Sequence, residues 1–205
     1  FNMVMELVIA TKNRGKLTEI SGLLKDIEVT VTSLSDHPDI GDIEEDGETF
    51  LDNARKKART VSSITKKWVI ADDSGLVVDA LKGEPGVRSA RYAGRQGDSS
   101  ANNKKLLEAM KNVPDGKRQA HFTCTMVLVA PDGREWDVEE ICEGEIGREL
   151  KGSGGFGFDP LFFIREKGRT MAELPLDEKN RISHRGKALR HMKAIMADIV
   201  KKGQI

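Results

Sequence analysis

Two cysteines in 205 residues, no excess of either charge and no long apolar stretch mark this chain first by what it lacks. Cys124 and Cys142 have neither zinc-ligand spacing nor the number for a disulfide framework. They flank a hairpin turn at Pro131-Asp132-Gly133, where a cross-strand bridge can be drawn, but two buried thiols are expected in a reducing compartment. Lys+Arg and Asp+Glu both number 33, so the formal net charge is zero. Proteins that live on nucleic-acid backbones carry a basic excess, so no nucleic-acid partner is expected, nor an anionic membrane surface. No apolar run approaches the ~20 residues of a membrane span, and the first ten residues are too short and too broken by Glu6 for a signal peptide. A cytoplasmic protein with no membrane partner is expected. Phe1 is not an initiator, so residues 1–4 are expected to include a cloning remnant. There is no internal repeat and no low-complexity tract. His37, His121 and His191 lack metal spacing, and no Ser-His-Asp or Cys-His arrangement points to covalent catalysis.

The length favours a single domain, or one domain with a smaller lobe. Met5 to Ala10 reads as a buried strand, Thr11 to Gly15 as a polar turn, and Leu17, Ile20, Leu23 and Leu24 recur at helical spacing. Thr30 to Leu34 is a further strand. Thr49 to Ser62 is a helix with Phe50, Ala54, Ala58 and Val61 on one side and Arg55, Lys56 and Lys57 on the other. Trp68 to Ala71 is a strand that bends at Asp72-Asp73-Ser74-Gly75 and resumes over Leu76 to Ala80. Ser99 to Met110 is helical with Asp98 as N-cap. Arg118 to Ala130 and Glu135 to Ile141 form a hairpin, Leu161 to Arg165 is one more strand, and Ser183 to Lys201 is the last helix. Strands and helices so interleaved predict an α/β domain on a mixed twisted sheet with flanking helices.

Chemistry gathers where polar and glycine-rich residues meet the ends of elements. Thr11-Lys12-Asn13-Arg14-Gly15-Lys16 joins a strand to a helix, whose N-terminal N–H groups and partial positive charge suit phosphate. It is not a Walker loop, which needs Gly and Ser/Thr where this chain has Ala10 and Leu17. At Asp72-Asp73-Ser74-Gly75, adjacent carboxylates repel unless a cation sits there, and strand geometry points them to opposite faces. One is then free to serve chemistry while the other is structural. Magnesium takes one or two carboxylates together with waters and phosphate oxygens, and Glu44 or Glu45, in the acidic loop before the second helix, is able to join Asp73. The Gly152–Pro160 loop, with Phe156 and Phe158, can open a slot for a planar base. There Asp159 accepts hydrogen bonds, and downstream Arg185 can only donate.

Taken together, these segments resemble the inosine triphosphate pyrophosphatase family over nearly the whole chain. The shared features are Thr11, Asn13 and Lys16; ADDSGL (71–76); PGVRSARYAG (85–94); GFGFDP (155–160); Lys179; and SHRGKA (183–188). The resemblance implies two lobes around a substrate cleft, a homodimer, Mg2+ dependence, and hydrolysis of non-standard purine nucleoside triphosphates (ITP, dITP, XTP) between the α- and β-phosphates. It implies that Asp73 is catalytic and, with Glu44, holds the metal, Glu45 lying one step away. It implies that Thr11 through Lys16 bind phosphate, beside Ser74. Phe156, Gly157, Phe158 and Asp159 would form the base pocket with Lys179, His184 and Arg185. On that footing Lys12, Lys16 and Lys179 would offset charge on the leaving pyrophosphate, and Arg185 would read the C6 carbonyl of the base. The rival readings are a Maf-type nucleotide pyrophosphatase and a nucleotide-binding regulator without turnover.

Overall fold

In the computed structural model, residues 5–203 are described; the remnant expected at residues 1–4 lies outside them. Seven strands, β1 (Met5–Ile9), β2 (Val29–Ser33), β3 (Trp68–Val78), β4 (Gln119–Val129), β5 (Glu135–Ile146), β6 (Phe162–Ile164) and β7 (Arg169–Thr170), form one sheet in the order β2-β1-β3-β4-β5-β6-β7. Five α-helices accompany them: α1 (Arg14–Leu23), α2 (Phe50–Thr65), α3 (Ser99–Ala109), α4 (Leu176–Ile182) and α5 (His184–Lys201). β1 pairs in parallel with both β2 and β3, whereas β6 pairs antiparallel with β5 and β7. The sheet is therefore mixed, and the expected α/β class is what the chain adopts.

The chain divides into two compact units. The first comprises Phe1–Asp73, Cys124–Glu140 and Arg185–Ile205; the second comprises Ser74–Thr123 and Ile141–His184. In the first unit, β1 is apolar at nearly every position because both of its faces are covered. Met5, Leu7 and Ile9 join Trp68, Ile70, Met126 and Leu128 under Ile20 of α1 and Leu189, Met192 and Met196 of α5. The intervening Val8, Val69, Ala71 and Val127 pack against Ala54, Ala58 and Val61 of α2. The second unit has its own core, in which Leu76, Val78, Leu106, Met110, Phe122, Phe158 and Phe162 are buried together.

One expectation is corrected, and one element is new. The bend at residues 72–75 does not occur: β3 runs unbroken from Trp68 to Val78, because Asp72 and Asp73 are held by side chains from the helices and need no turn to reach solvent. Also, a short helix, α4, carries Lys179. Its seven residues follow Pro175 with Asp177 and Glu178 in the first turn, which suits a helix start but is too short to show a period. Cys124 and Cys142 are buried thiols, not joined by a disulfide. Among the described residues, no helix is long and apolar enough to cross a membrane.

The both-faces-buried reading of β1 makes a simple forecast. Leu7→Ala, at a fully buried position, should cost about 2–5 kcal/mol in urea unfolding, while Ile64→Ala, 56% exposed, should stay within about 0.5 kcal/mol.

Candidate active site

In the first unit the site is built around the end of β1 and the middle of β3. The chain leaves β1 through Thr11, whose Oγ1 accepts from the Asn13 N–H at 3.1 Å. Asn13 then caps α1, its Oδ1 accepting from the Lys16 N–H at 3.1 Å. The first turn of α1 carries no acidic residue, so its positive end stays uncompensated, as an anion site requires. Lys12 and Arg14 are exposed, and the Lys12 Nζ pairs with Asp42 at 2.7 Å. Lys16 reaches inward, with its Nζ 3.0 Å from Asp72 Oδ2.

Strand alternation separates the two aspartates. Trp68 and Ile70 face the α1/α5 side and Val69 and Ala71 the α2 side; continuing the period of two sends Asp72 to the first and Asp73 to the second. Asp72 accordingly meets Lys16 and, at 3.3 Å from its Oδ2, the Nε and Nη2 of Arg185. Asp73 instead accepts from Asn53 Nδ2 of α2 at 3.0 Å. The consequence is electrostatic. Burial raises both carboxyls, but beside Asp72 the charges of Lys16, Arg185 and Lys57 outweigh it and hold that carboxyl well below the usual range. For Asp73, burial prevails over Lys57 and Lys16, with the charge of Glu45 adding to it, and the carboxyl is raised. Neighbouring titratable groups driven in opposite directions are a mark of sites that divide structural and chemical roles.

Lys57 and Asn53 were not among the expected site residues. Lys57 was expected on the outer basic face of α2, and Arg55 and Lys56 do meet acidic partners there. Lys57, only 9% exposed, instead donates to the Asp72 carbonyl at 2.6 Å and pairs with Glu45. The signal was present in the helical arithmetic: residues 50, 54, 57 and 61 share one stripe, and Asn53 lies one turn before Lys57. Asn53 also accepts from the Gly47 N–H at 2.8 Å, fastening the acidic loop to the helix. A Cβ at Gly47 would come within 2.7 Å of the Asn53 Oδ1, so that close approach needs glycine.

Of the two glutamates in that loop, Glu45 is the one brought to the cluster, whereas Glu44 is exposed. The Nε and Nη2 of Arg185 face Asp72 and its Nη1 pairs with Glu19 of α1. That arrangement anchors Asp72. Cys124 Sγ lies 4.0 Å from Asp72 Oδ2, and burial together with that carboxylate pushes its thiol up, keeping it neutral.

The second unit holds the glycine-rich loop. Gly155 and Gly157 sit at φ of 69° and 63° on either side of Phe156. Asp159 folds back into the loop, accepting from the Phe156 N–H at 2.9 Å and from Lys179 Nζ at 2.7 Å. A Cβ on Gly155 would lie 2.0 Å from Asp159 Oδ2, so glycine is required there too. Lys179 is buried with its Nζ 4.9 Å from the Phe156 ring centroid and with Asp159 as counter-charge. Phe158, expected as a stacking ring, is 4% exposed and part of the core, while Phe156 is partly open. His184 stacks on Phe122 at 4.7 Å between centroids. Ser74 is partly buried in β3.

Among the described residues there is no cluster of three or more His, Cys, Asp or Glu arranged to cage a metal. The donor set fits magnesium nonetheless, since that ion takes one or two carboxylates and leaves its other positions to water and phosphate. Asp73 and Glu45 offer such a pair, and the charge of Glu45 helps to raise the Asp73 carboxyl.

Known proteins resemble this chain over most of its length. The Ham1 family model matches residues 7–195. A dITP/XTP pyrophosphatase from Geobacter sulfurreducens is 52% identical over 91% of this chain and 94% of its own, and one from Desulforamulus reducens is 51% identical over 94% and 96%. Among solved structures, the Staphylococcus aureus Ham1 protein superposes with a TM-score of 0.84 at 38% identity, covering 94% of this chain and 98% of its own. A HAM1 protein from Coxiella burnetii gives 0.86 at 40%, covering 95% and 100%.

The buried ion pairs differ from the exposed ones in what their loss should cost. Arg185→Met strips a counter-charge from buried Asp72 and Glu19, and should destabilise by about 3–5 kcal/mol in urea unfolding. Lys12→Ala removes an exposed pair and should change stability by less than about 1 kcal/mol.

Proposed function

The chain belongs to the Ham1 family, and from that premise we propose that it hydrolyses non-standard purine nucleoside triphosphates to the monophosphate and pyrophosphate, cleansing the nucleotide pool. The observation that carries the reading is the opposed pair on β3: a buried, ion-paired Asp72 beside an Asp73 whose carboxyl is raised. A site that only bound triphosphate would have little use for carboxylates beside so anionic a ligand. The relatives named above, dITP/XTP pyrophosphatases by name, support the same reaction.

The N-terminal turn of α1, with Lys12 and Lys16, binds the phosphate chain. Asp73, oriented by Asn53, accepts the proton of the water that attacks the α-phosphate. Glu45 and Asp73 are the residues that would hold Mg2+, which when bound supplies charge neutralisation at phosphate oxygens and a position for water. Lys57 keeps Glu45 in place and, through its bond to the Asp72 carbonyl, ties α2 to the strand. Asp72 stays ionised and does no proton transfer; it holds Lys16 and Arg185 in position.

In the second unit, Phe156 offers its partly open ring to the base, and Lys179 and His184 carry N–H groups suited to a C6 carbonyl. Hypoxanthine, xanthine and guanine present that carbonyl, so guanine must be excluded at its 2-amino group; adenine presents an amino donor, and an unpaired buried donor costs about 1–3 kcal/mol. We take the protein to work as a cytoplasmic homodimer.

Phosphate-product analysis with inosine, xanthosine, guanosine and adenosine triphosphates, each with and without Mg2+, tests the reading. Monophosphate plus pyrophosphate from the first two, metal-dependent and much slower from the others, is expected; no turnover by folded protein would favour the binding regulator. Asp73→Asn should lower kcat about 10²–10⁴-fold with folding intact, and a near wild-type kcat would contradict the assignment. Glu45→Gln should raise the Mg2+ concentration for half-maximal rate about 10–100-fold. Glu44→Gln should shift it far less, and the reverse order would restore Glu44 as the ligand.

A further inference from the structure

Helix α3 contributes no residue to the chemistry above, yet two consecutive asparagines on it are nearly buried. Asn102 has an evident structural task. Its Oδ1 accepts from the Ala93 N–H at 2.7 Å, and its Nδ2 donates to the carbonyls of Ser89 and Ala90 at 3.3 and 3.2 Å. It therefore satisfies the backbone of the 89–93 segment and uses both ends of its amide. Asn103 is different. Among the described residues it makes one side-chain bond, from Nδ2 to the Gly157 carbonyl at 2.9 Å, and its buried Oδ1 has no hydrogen-bond partner.

A buried amide oxygen without a partner lowers stability, and an apolar side chain of similar size would avoid that penalty. What Asn103 provides is therefore the contact itself. The contact falls on the residue between Phe156 and Phe158, a glycine held in the left-handed region at a φ of 63°. A second link runs the same way. The Tyr92 ring meets Phe158 edge-on at 6.5 Å, and Lys105 of α3 holds Tyr92 through its carbonyl at 2.7 Å and over its ring at 4.2 Å. One helix thus fixes the glycine-rich loop at two successive residues.

We propose that Asn103 is a positioning residue for base selection: by clamping the Gly157 carbonyl it holds the Phe156 ring in the orientation that receives the purine. It touches neither the reacting atoms nor the phosphate machinery. This rests on the reading of the 155–159 loop as the base-binding element.

The test compares Asn103→Leu with wild type in steady-state kinetics on inosine and adenosine triphosphates, alongside thermal unfolding. Loss of one hydrogen bond corresponds to about a two- to tenfold effect. The variant should show KM for inosine triphosphate raised by that factor, kcat within about twofold of wild type because Asp73 is untouched, and the inosine-over-adenosine preference reduced by the same factor. Leucine relieves the partnerless Oδ1 but leaves the Gly157 carbonyl without its donor, so the Tm should stay close to that of wild type while KM and preference move, a split that a merely structural role would not give. Gly157→Ala, where an added Cβ meets no atom within 4 Å but the left-handed backbone is strained, should reproduce the KM effect without disturbing α3. Asn103→Ser replaces the leucine variant should that one not fold. Unchanged KM and preference in folded variants, or a lowered Tm with kcat and KM moving together, would overturn the proposal while leaving the pyrophosphatase reading intact. Absence of turnover in the wild type would overturn both.

Discussion

The arrangement depends on a period of two. Because consecutive residues of an extended strand face opposite ways, the pair Asp72-Asp73 is divided between two environments. On one side Asp72 meets Lys16 and Arg185; on the other Asp73 meets Asn53, with burial outweighing the nearby cations. Adjacent carboxylates that would repel in an exposed turn become one fixed ion and one poised group. Shifting β3 by one residue would exchange them, so the register of Leu7 with Trp68 and Ile9 with Ile70 is a functional constraint as well as a packing one.

A chain of buried charges surrounds this pair. Glu19, Arg185, Asp72 and Lys16 link α1, α5 and β3, while Lys57 joins Glu45 to the Asp72 backbone from α2. Buried pairs of this kind contribute little net stability relative to apolar packing, although removing one member is costly. What they do provide is position: each charged group is held by a partner from a different element. In the second unit the same logic operates with Asp159 and Lys179, which fold the glycine-rich loop onto itself and leave Phe156 as its partly open ring.

Much of this was legible in the sequence. The α/β class, the hairpin, the Asn13-Lys16 turn and the opposite facing of Asp72 and Asp73 all follow from periodicity and capping chemistry. What was not legible depended on tertiary partners. The run Arg55-Lys56-Lys57 looks like a solvated face until Glu45 and the Asp72 carbonyl are known to sit beside its third member. Glu44 and Glu45 are indistinguishable in sequence, because a loop has no period to say which side chain turns inward. The bend expected at Asp72–Gly75 assumed that acidic residues must escape to water, and Arg185, 113 residues downstream, removes that need. Phe156 and Phe158 differ only in what packs against them.

The central claim is the division of labour between the two aspartates, and carboxyl 13C NMR titration of the folded, metal-free protein tests it most directly. The account predicts that Asp73 titrates above the ordinary aspartate value of 3.8, while Asp72 remains ionised to well below it. An Asp73 that titrates at or below 3.8, or an Asp72 that takes up its proton first, would contradict it.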